Sequence, residues 1–385
     1  MLRPEDPIER SSETQHGLHP DGPIEPDSKH ENEAHHHHLL QALKRTQDLL
    51  GPEHPLTLIA IRNLGRHLHN SGNYEDAETL YRQALEVTER LLGPENPHTL
   101  AGITDLAIVV THRGRYMDAE IMHRRVLQIK ERVRGVAHED TLVTLGNLGL
   151  VVEQQGRYDE AEGMHRRALP CGLEQRLGSA HPQTLIVMEH LGCCLDSQGR
   201  YDAAEGIQRR VLEGWEVAFG DGHLQTLISV GNLAVTLLNQ GKHAEAEEMQ
   251  RRALQGSERL LGSNHPDTLT RMGNLGNVLS CQGRDPEAEV IHRGVLRARE
   301  EVLGPEHPNT LTGVGNLGLI LDKQGKYSQA EEMHRRAVRG WTRLMGPQHP
   351  YTLNSLRNLA AVLEAQDRHA EAEEVYRQAE PMATR

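Results

Sequence analysis

From Gly51 to Arg385 one pattern of apolar and polar positions returns every 42 residues, eight times. In its first copy Leu58, Ile61, Leu64, Gly65 and Leu68 fall at three- and four-residue steps, which is one face of a helix. Gly72 and Asn73 break the pattern. A second helical run follows through Ala77, Leu80, Tyr81, Ala84, Leu85 and Leu92, and Gly93-Pro94 ends it. Each copy reads as helix A, a short turn, helix B and a Pro-containing loop. Pro55 stands where a helix can start, because a first-turn proline lacks only an N–H that would be unpaired anyway. A threonine marks the register, at Thr57, Thr99, Thr141, Thr184, Thr226, Thr268, Thr310 and Thr352, with every step 42 residues except one of 43. A fixed period in this range predicts an all-α solenoid of stacked units and favours a binding surface over a catalytic pocket.

Some positions hardly vary. Helix A carries Leu64, Leu106, Leu148, Leu191, Leu233, Leu275, Leu317 or Leu359, always followed by Gly or Ala. Helix B carries Ala77, Ala119, Ala161, Ala204, Ala246, Ala288, Ala330 or Ala372. Small residues let two backbones approach while the leucine fills the gap. One such pair cannot bury its own apolar face, so neighbours must stack to complete the core.

The third copy's Leu148, Gly149, Gly156, Tyr158, Ala161 and Ala168 resemble the tetratricopeptide repeat. The 42-residue length and the loop Gly304-Pro305-Glu306-His307-Pro308 resemble the kinesin light chain version of it. This resemblance spans about nine-tenths of the chain. It implies a right-handed α–α superhelix and a non-catalytic adaptor that holds an extended peptide or a partner helix in a concave groove. The repeats also resemble the tails of fungal signalling proteins that carry a nucleotide-binding domain upstream, which makes a sensor or scaffold module the alternative. Neither an N-terminal heptad run, as in the light chain family, nor a Walker-type Gly-x-x-x-x-Gly-Lys-Ser/Thr occurs in the chain.

In that family the residue before the repeated leucine lines the groove, and its asparagines hold peptide backbone. Here the position is Asn63, Asp105, Asn147, His190, Asn232, Asn274, Asn316 and Asn358. An amide both donates and accepts, which suits a peptide of any sequence; the competing reading is that these side chains bridge neighbouring helices. The resemblance also places Arg62, Arg66, Glu153, Glu189, Asp196, Asp322, Lys323 and Arg357 in the groove, over a floor of Ile108, Leu150, Val235 and Leu319.

Composition narrows the partners to protein. The net charge is −13, and residues 1–34 supply −6 of it with nine acidic and three basic residues. No basic stripe suits a nucleic acid, and no run of 18 apolar residues suits a membrane span. Residues 1–34 hold five prolines and no helical period, which predicts a disordered tail rather than a signal peptide. Leu39 to Leu50 align with Tyr81 to Leu92, so residues 35–50 read as an orphan helix B ahead of eight repeats over 51–385. Neither end shows a polar capping helix, which leaves self-association through the ends open. Leu169-Pro170-Cys171-Gly172 interrupts the third helix B and predicts a kink. Four cysteines with no Cys-x-x-Cys pair fit a reducing, cytoplasmic setting.

Further candidates favour structure over chemistry. A Glu precedes an Arg by four residues on every helix B, from Glu78–Arg82 to Glu373–Arg377, and this is the favourable orientation for a helix ion pair. His35 to His38 form a run with metal-binding potential, but adventitious binding is the stronger reading, and no metal or cofactor site is expected. His54, His138, His181, His265, His307 and His349 recur with the loop, and His123, His165, His292 and His334 recur on helix B as packing residues. Cys193 and Cys194 read as small core hydrophobes, since adjacent helical residues point about 100° apart. Trp215 and Trp341 share one late helix B position, as interface anchors or as packing. No catalytic constellation is present.

Overall fold

The computed structural model describes residues 29–71, 73–169 and 174–379, with side chains from residue 34 onward except those of 175 and 176. Every regular element among the described residues is a helix. Helix α1 (Lys29–Leu50) leads. The A helices are α2 (Pro55–Asn70), α4 (Pro97–His112), α6 (Glu139–Gln154), α9 (Pro182–Ser197), α11 (Leu224–Asn239), α13 (Pro266–Cys281), α15 (Pro308–Lys323) and α17 (Pro350–Ala365). The B helices are α3 (Tyr74–Leu92), α5 (Tyr116–Arg134), α7 (Tyr158–Ala168), α10 (Tyr201–Phe219), α12 (His243–Leu261), α14 (Asp285–Val302), α16 (Tyr327–Met345) and α18 (His369–Gln378), with the short α8 (Glu174–Leu177) following α7. The kink expected at Pro170 and most of the expected tail lie outside the described residues. Helix α1 begins at Lys29, inside the stretch assigned to the tail.

The periodic loop residues set where each A helix begins. His54, His138, His181, His223, His265, His307 and His349 are N-caps whose Nδ1 accepts the backbone N–H two residues on, at 3.1–3.3 Å. Asn96 does the same with its side-chain oxygen at 2.9 Å. An imidazole can do this only with Nδ1 unprotonated. The register threonine closes the same loop: Thr57, Thr99, Thr226, Thr310 and Thr352 donate to the carbonyls of Gly51, Gly93, Gly220, Gly304 and Gly346 at 2.8–2.9 Å.

The chain divides at Gly241 and Lys242 into two compact units. In the first, each helix packs on the next from α2 to α11, α7 meeting α9 directly, and the A helices α6, α9 and α11 also touch in series. In the second, the same order runs from α12 to α18. The repeated leucines of helix A are 0–4 % exposed and the repeated alanines of helix B 0–1 %, so both fill the core as their spacing predicts. Helix α1 anchors through Leu43 and turns His37, His38, Gln41, Lys44, Arg45 and Asp48 to solvent. Leu40, Leu49 and Leu50 of the same helix are also exposed.

A glutamate joins the helix B of each of the first seven copies to the following A–B turn. The expected helix pairs form at 2.6–2.9 Å from Glu78–Arg82 through Glu331–Arg335. In the last copy Arg377 turns instead to Glu374, at 2.5 Å. The same carboxylates also accept from the next copy's A–B turn. Gln155 and Arg157 donate to Glu120, both at 2.8 Å, and Gln198 and Arg200 to Glu162 at 3.1 and 2.7 Å. Gln282 and Arg284 donate to Glu247 at 2.9 and 3.2 Å, and Gln366 and Arg368 to Glu331 at 3.1 and 2.7 Å. Arg113 and Lys326 close the equivalent contacts to Glu78 and Glu289, each at 2.6 Å. Burial pushes the Glu331 carboxyl up, but hydrogen bonds from Arg335, Gln366 and Arg368 outweigh it and hold it below the usual 4.5. Glu78, Glu120 and Glu162 show the same balance. A depressed carboxylate pKa means the clasps are intact above pH 4.5 and are lost only as pH falls through the lower folded values.

Glycine after the repeated leucine serves close approach. A Cβ on Gly318 would stand 2.7 Å from His334 Cε1, and His334 is fully buried. Gly315, on the same helix, has nothing within 4 Å of that position. Gly318→Ala should therefore cost about 1–3 kcal/mol through overpacking. Gly315→Ala should stabilise by roughly 0.4–1 kcal/mol through reduced freedom of the unfolded chain. Denaturant melts of the two variants check the contrast.

Candidate interaction surface

The eight positions expected to form one amide ladder lie in different surroundings. Asn63 is exposed, and Asp105, Asn316 and Asn358 are half-buried. Asn147, His190, Asn232 and Asn274 are buried, at 7, 3, 6 and 4 % exposure. Asp105 accepts from Arg62 Nε and Nη2 at 2.8 and 2.6 Å. Asn232 Nδ2 donates to Glu189 Oε1 at 2.7 Å, and Ser229 Oγ donates to the same oxygen at 3.0 Å. The side-chain oxygens of Asn147 and Asn274 are buried without a hydrogen-bond partner. Burial holds the His190 imidazole down at about 4, so it is neutral near pH 7, with its ring 5.8 Å from that of His165.

The charged residues expected beside them divide in the same way. Glu153, Glu189 and Asp196 are buried rather than displayed. Glu153 accepts from Ser197 Oγ at 2.9 Å, and Asp196 from Asn239 Nδ2 at 3.1 Å. These bonds run from one A helix to the next, so within the first unit Asp105 and Asn232 bridge neighbouring helices. Lys323 and Arg357 are exposed, and Lys323 also donates to Ser280 Oγ at 3.0 Å. Asp322 is half-buried, and burial raises its carboxyl. Ile108, Leu150 and Leu319 are half-buried and Val235 is buried. On α2, Leu56 and Ile59 are 53 and 52 % exposed, in line with Asn63.

The helix B arginines face the Glu clasps, and a second set bridges adjacent B helices. Arg167 meets Glu131 and Arg336 meets Glu300, both at 2.6 Å, and Arg125 pairs with Glu89. A shallow depression of about 580 Å³ lies over Gly156, Arg157, Tyr158 and Gln198, and clasp residues line it. Trp215 and Trp341 are 2 and 4 % exposed, so they pack internally; Trp341 lies 4.8 Å from the Tyr351 ring. Cys193 and Cys194 are buried in the core.

The histidine run finds one partner that spacing did not reveal. His35 and His36 stand 5.2 and 5.3 Å from the ring of His67 on α2. Burial, then repulsion from those two rings, holds His67 at about 4. Among the described residues no three His, Cys, Asp or Glu side chains are grouped to hold a metal ion. No described helix is long and apolar enough to cross a membrane.

Two substitutions separate bridging from display. Asn232→Ala removes a donor from the buried Glu189 and should cost about 1–3 kcal/mol in a denaturant melt. Asn63→Ala alters an exposed side chain and should stay within about 0.5 kcal/mol.

A family model agrees with this architecture. The family model described as the tetratricopeptide repeat matches residues 37–90, 62–111, 99–174, 197–255, 224–293, 272–341 and 315–385. A search of curated proteins found no match. Among solved structures, a Podosopora anserina protein described as a kinesin light chain with nearly identical TPR-like repeats is 21 % identical, with a TM-score of 0.45 over 54 % of this chain and 97 % of its own. BtubC from P. vanneervenii is 20 % identical, with a TM-score of 0.49 over 59 % of this chain and 91 % of its own. A tetratricopeptide repeat protein from Parabacteroides merdae is 14 % identical, with a TM-score of 0.48 over 84 % and 98 %. With helix pairs recurring at one period and the family model matching most of its length, this chain belongs to the tetratricopeptide repeat family.

Proposed function

We propose that this chain is a non-catalytic protein-interaction scaffold that takes an extended peptide or a partner helix along exposed parts of its A helices, as a kinesin light chain-like adaptor. The observation that carries the reading is the stripe Leu56, Ile59 and Asn63 on α2. Two half-exposed apolar side chains there lie in line with an amide able to donate and accept. Asn316, Leu319 and Asn358 give the second unit a related half-buried set. A protein partner suits these surfaces better than a nucleic acid, because glutamates already engage the helix B arginines.

Affinity capture from native lysate, read by mass spectrometry, tests this on wild type and on Ile59→Asp. Ile59 is half exposed, so the charge should leave the fold intact while weakening a contact made there. Specific partners should drop by about tenfold or more, corresponding to a loss of roughly 1.4 kcal/mol. Full retention by a folded variant removes α2 from the binding surface.

A further inference from the structure

One helix B position holds an imidazole in half of the copies. It is His123, His165, His292 and His334 in copies two, three, six and seven, and Tyr81, Gln208, Gln250 and Tyr376 in the others. The four imidazoles are 0–2 % exposed. Both ring nitrogens of His165 and His334 are buried without a hydrogen-bond partner, as are His123 Nδ1 and His292 Nε2. Three rings lie against a backbone that leaves no slack. A Cβ would stand 2.6 Å from His165 on Gly149, and 2.7 Å from His292 and His334 on Gly276 and Gly318.

We propose that these four histidines make their helix pairs acid-labile, so that protonation opens copies two, three, six and seven of the stack. A protonated ring needs acceptors or water, and the buried, unpartnered nitrogens of these rings find neither without separating helix A from helix B. The titratable or charged neighbours acting on the rings are Lys130 on His123, His190 on His165 and Arg299 on His292, all of cationic type, and no charged group acts on His334. Among the described residues no carboxylate acts on the four rings to hold the proton in place. Burial accordingly keeps the four rings at about 3 to 4 when folded, against 6.5 when free. The sign follows: the open state binds the proton more tightly, so stability is full above pH 6.5 and falls as pH drops toward 4. The Glu clasps are held below 4.5, and Asp322 on α15, whose carboxyl burial raises, acts in the opposite sense, since acid relieves its burial. His67, His190 and His349 are likewise held at about 4, so copies one, four and eight are poor references, and the second unit's copies six and seven make the cleaner test.

Hydrogen exchange by mass spectrometry at pH 7.5 and pH 5, corrected for intrinsic exchange chemistry, reads the opening of α13–α14 and α15–α16 separately. Each pair should open about 30-fold more often at pH 5, the factor set by one ring shifted from 6.5 to about 4. His334→Gln places in copy seven the residue that copy four carries against its own glycine. It should sharply reduce the response in α15–α16 and keep it in α13–α14, and His292→Gln should do the reverse, while the N-caps His265 and His307 stay in place in both variants. Wild-type protein with no pH response in either pair overturns the proposal, and so does a variant that responds like wild type or loses the response in both pairs at once. If one variant fails to fold, the other and the wild-type measurement still decide.

Discussion

The contact on which each stack depends is a nearly buried glutamate that belongs to one repeat and is satisfied by the next. Glu120, Glu162, Glu247 and Glu331 each take an Arg from their own helix and a Gln and an Arg from the following A–B turn. A carboxylate at that depth would be costly with only one of these partners. The clasp therefore makes repeats interdependent in a way that apolar burial, which is non-directional, does not. It also fixes how far one helix pair is rotated against its neighbour, because three donors must converge on two oxygens.

That constraint shapes what remains for binding. The B helices spend their arginines on the clasps and on pairs such as Arg167–Glu131. Where A helices of the first unit meet, Glu189 and Asp196 accept from Asn232 and Asn239 of the next A helix and leave little polar surface on display. Accessible A-helix surface is then concentrated at copies such as the first, where Leu56 and Ile59 stay open.

Much of this was legible in the sequence because it repeats in place. The helix pairs, the leucine–small-residue contact and the Glu–Arg pairing all follow from spacings within one copy. The His N-caps were visible as a period, though their role needed the loop geometry, and His223 fills the same place in copy five. The clasp's far partners were legible only as polar residues 35 and 37 beyond the Glu, Arg and Arg for Glu78 and elsewhere a Gln and an Arg or Lys, with the spacing 36 and 38 for Glu162, whose copy holds the extra residue. The fate of the amide position could not be read from its own letter. Asp105 and Asn232 are held by Arg62 and Glu189, each 43 residues earlier, whereas Asn147 has Thr104 at that distance, and Thr104 bonds to its own helix at Leu100. Burial at Glu153, Glu189 and Asp196 likewise depends on the neighbouring helix and not on the residue itself.

A double-mutant cycle across one clasp tests the central claim most directly. Chemical denaturation of wild type, Glu331→Ala, Arg368→Ala and the double variant measures the coupling across the boundary between copies seven and eight. The account predicts a favourable coupling of about 1 kcal/mol or more, above the usual value for an exposed ion pair. Effects that add to within about 0.3 kcal/mol would contradict it, since the repeats would then be held together by apolar packing alone.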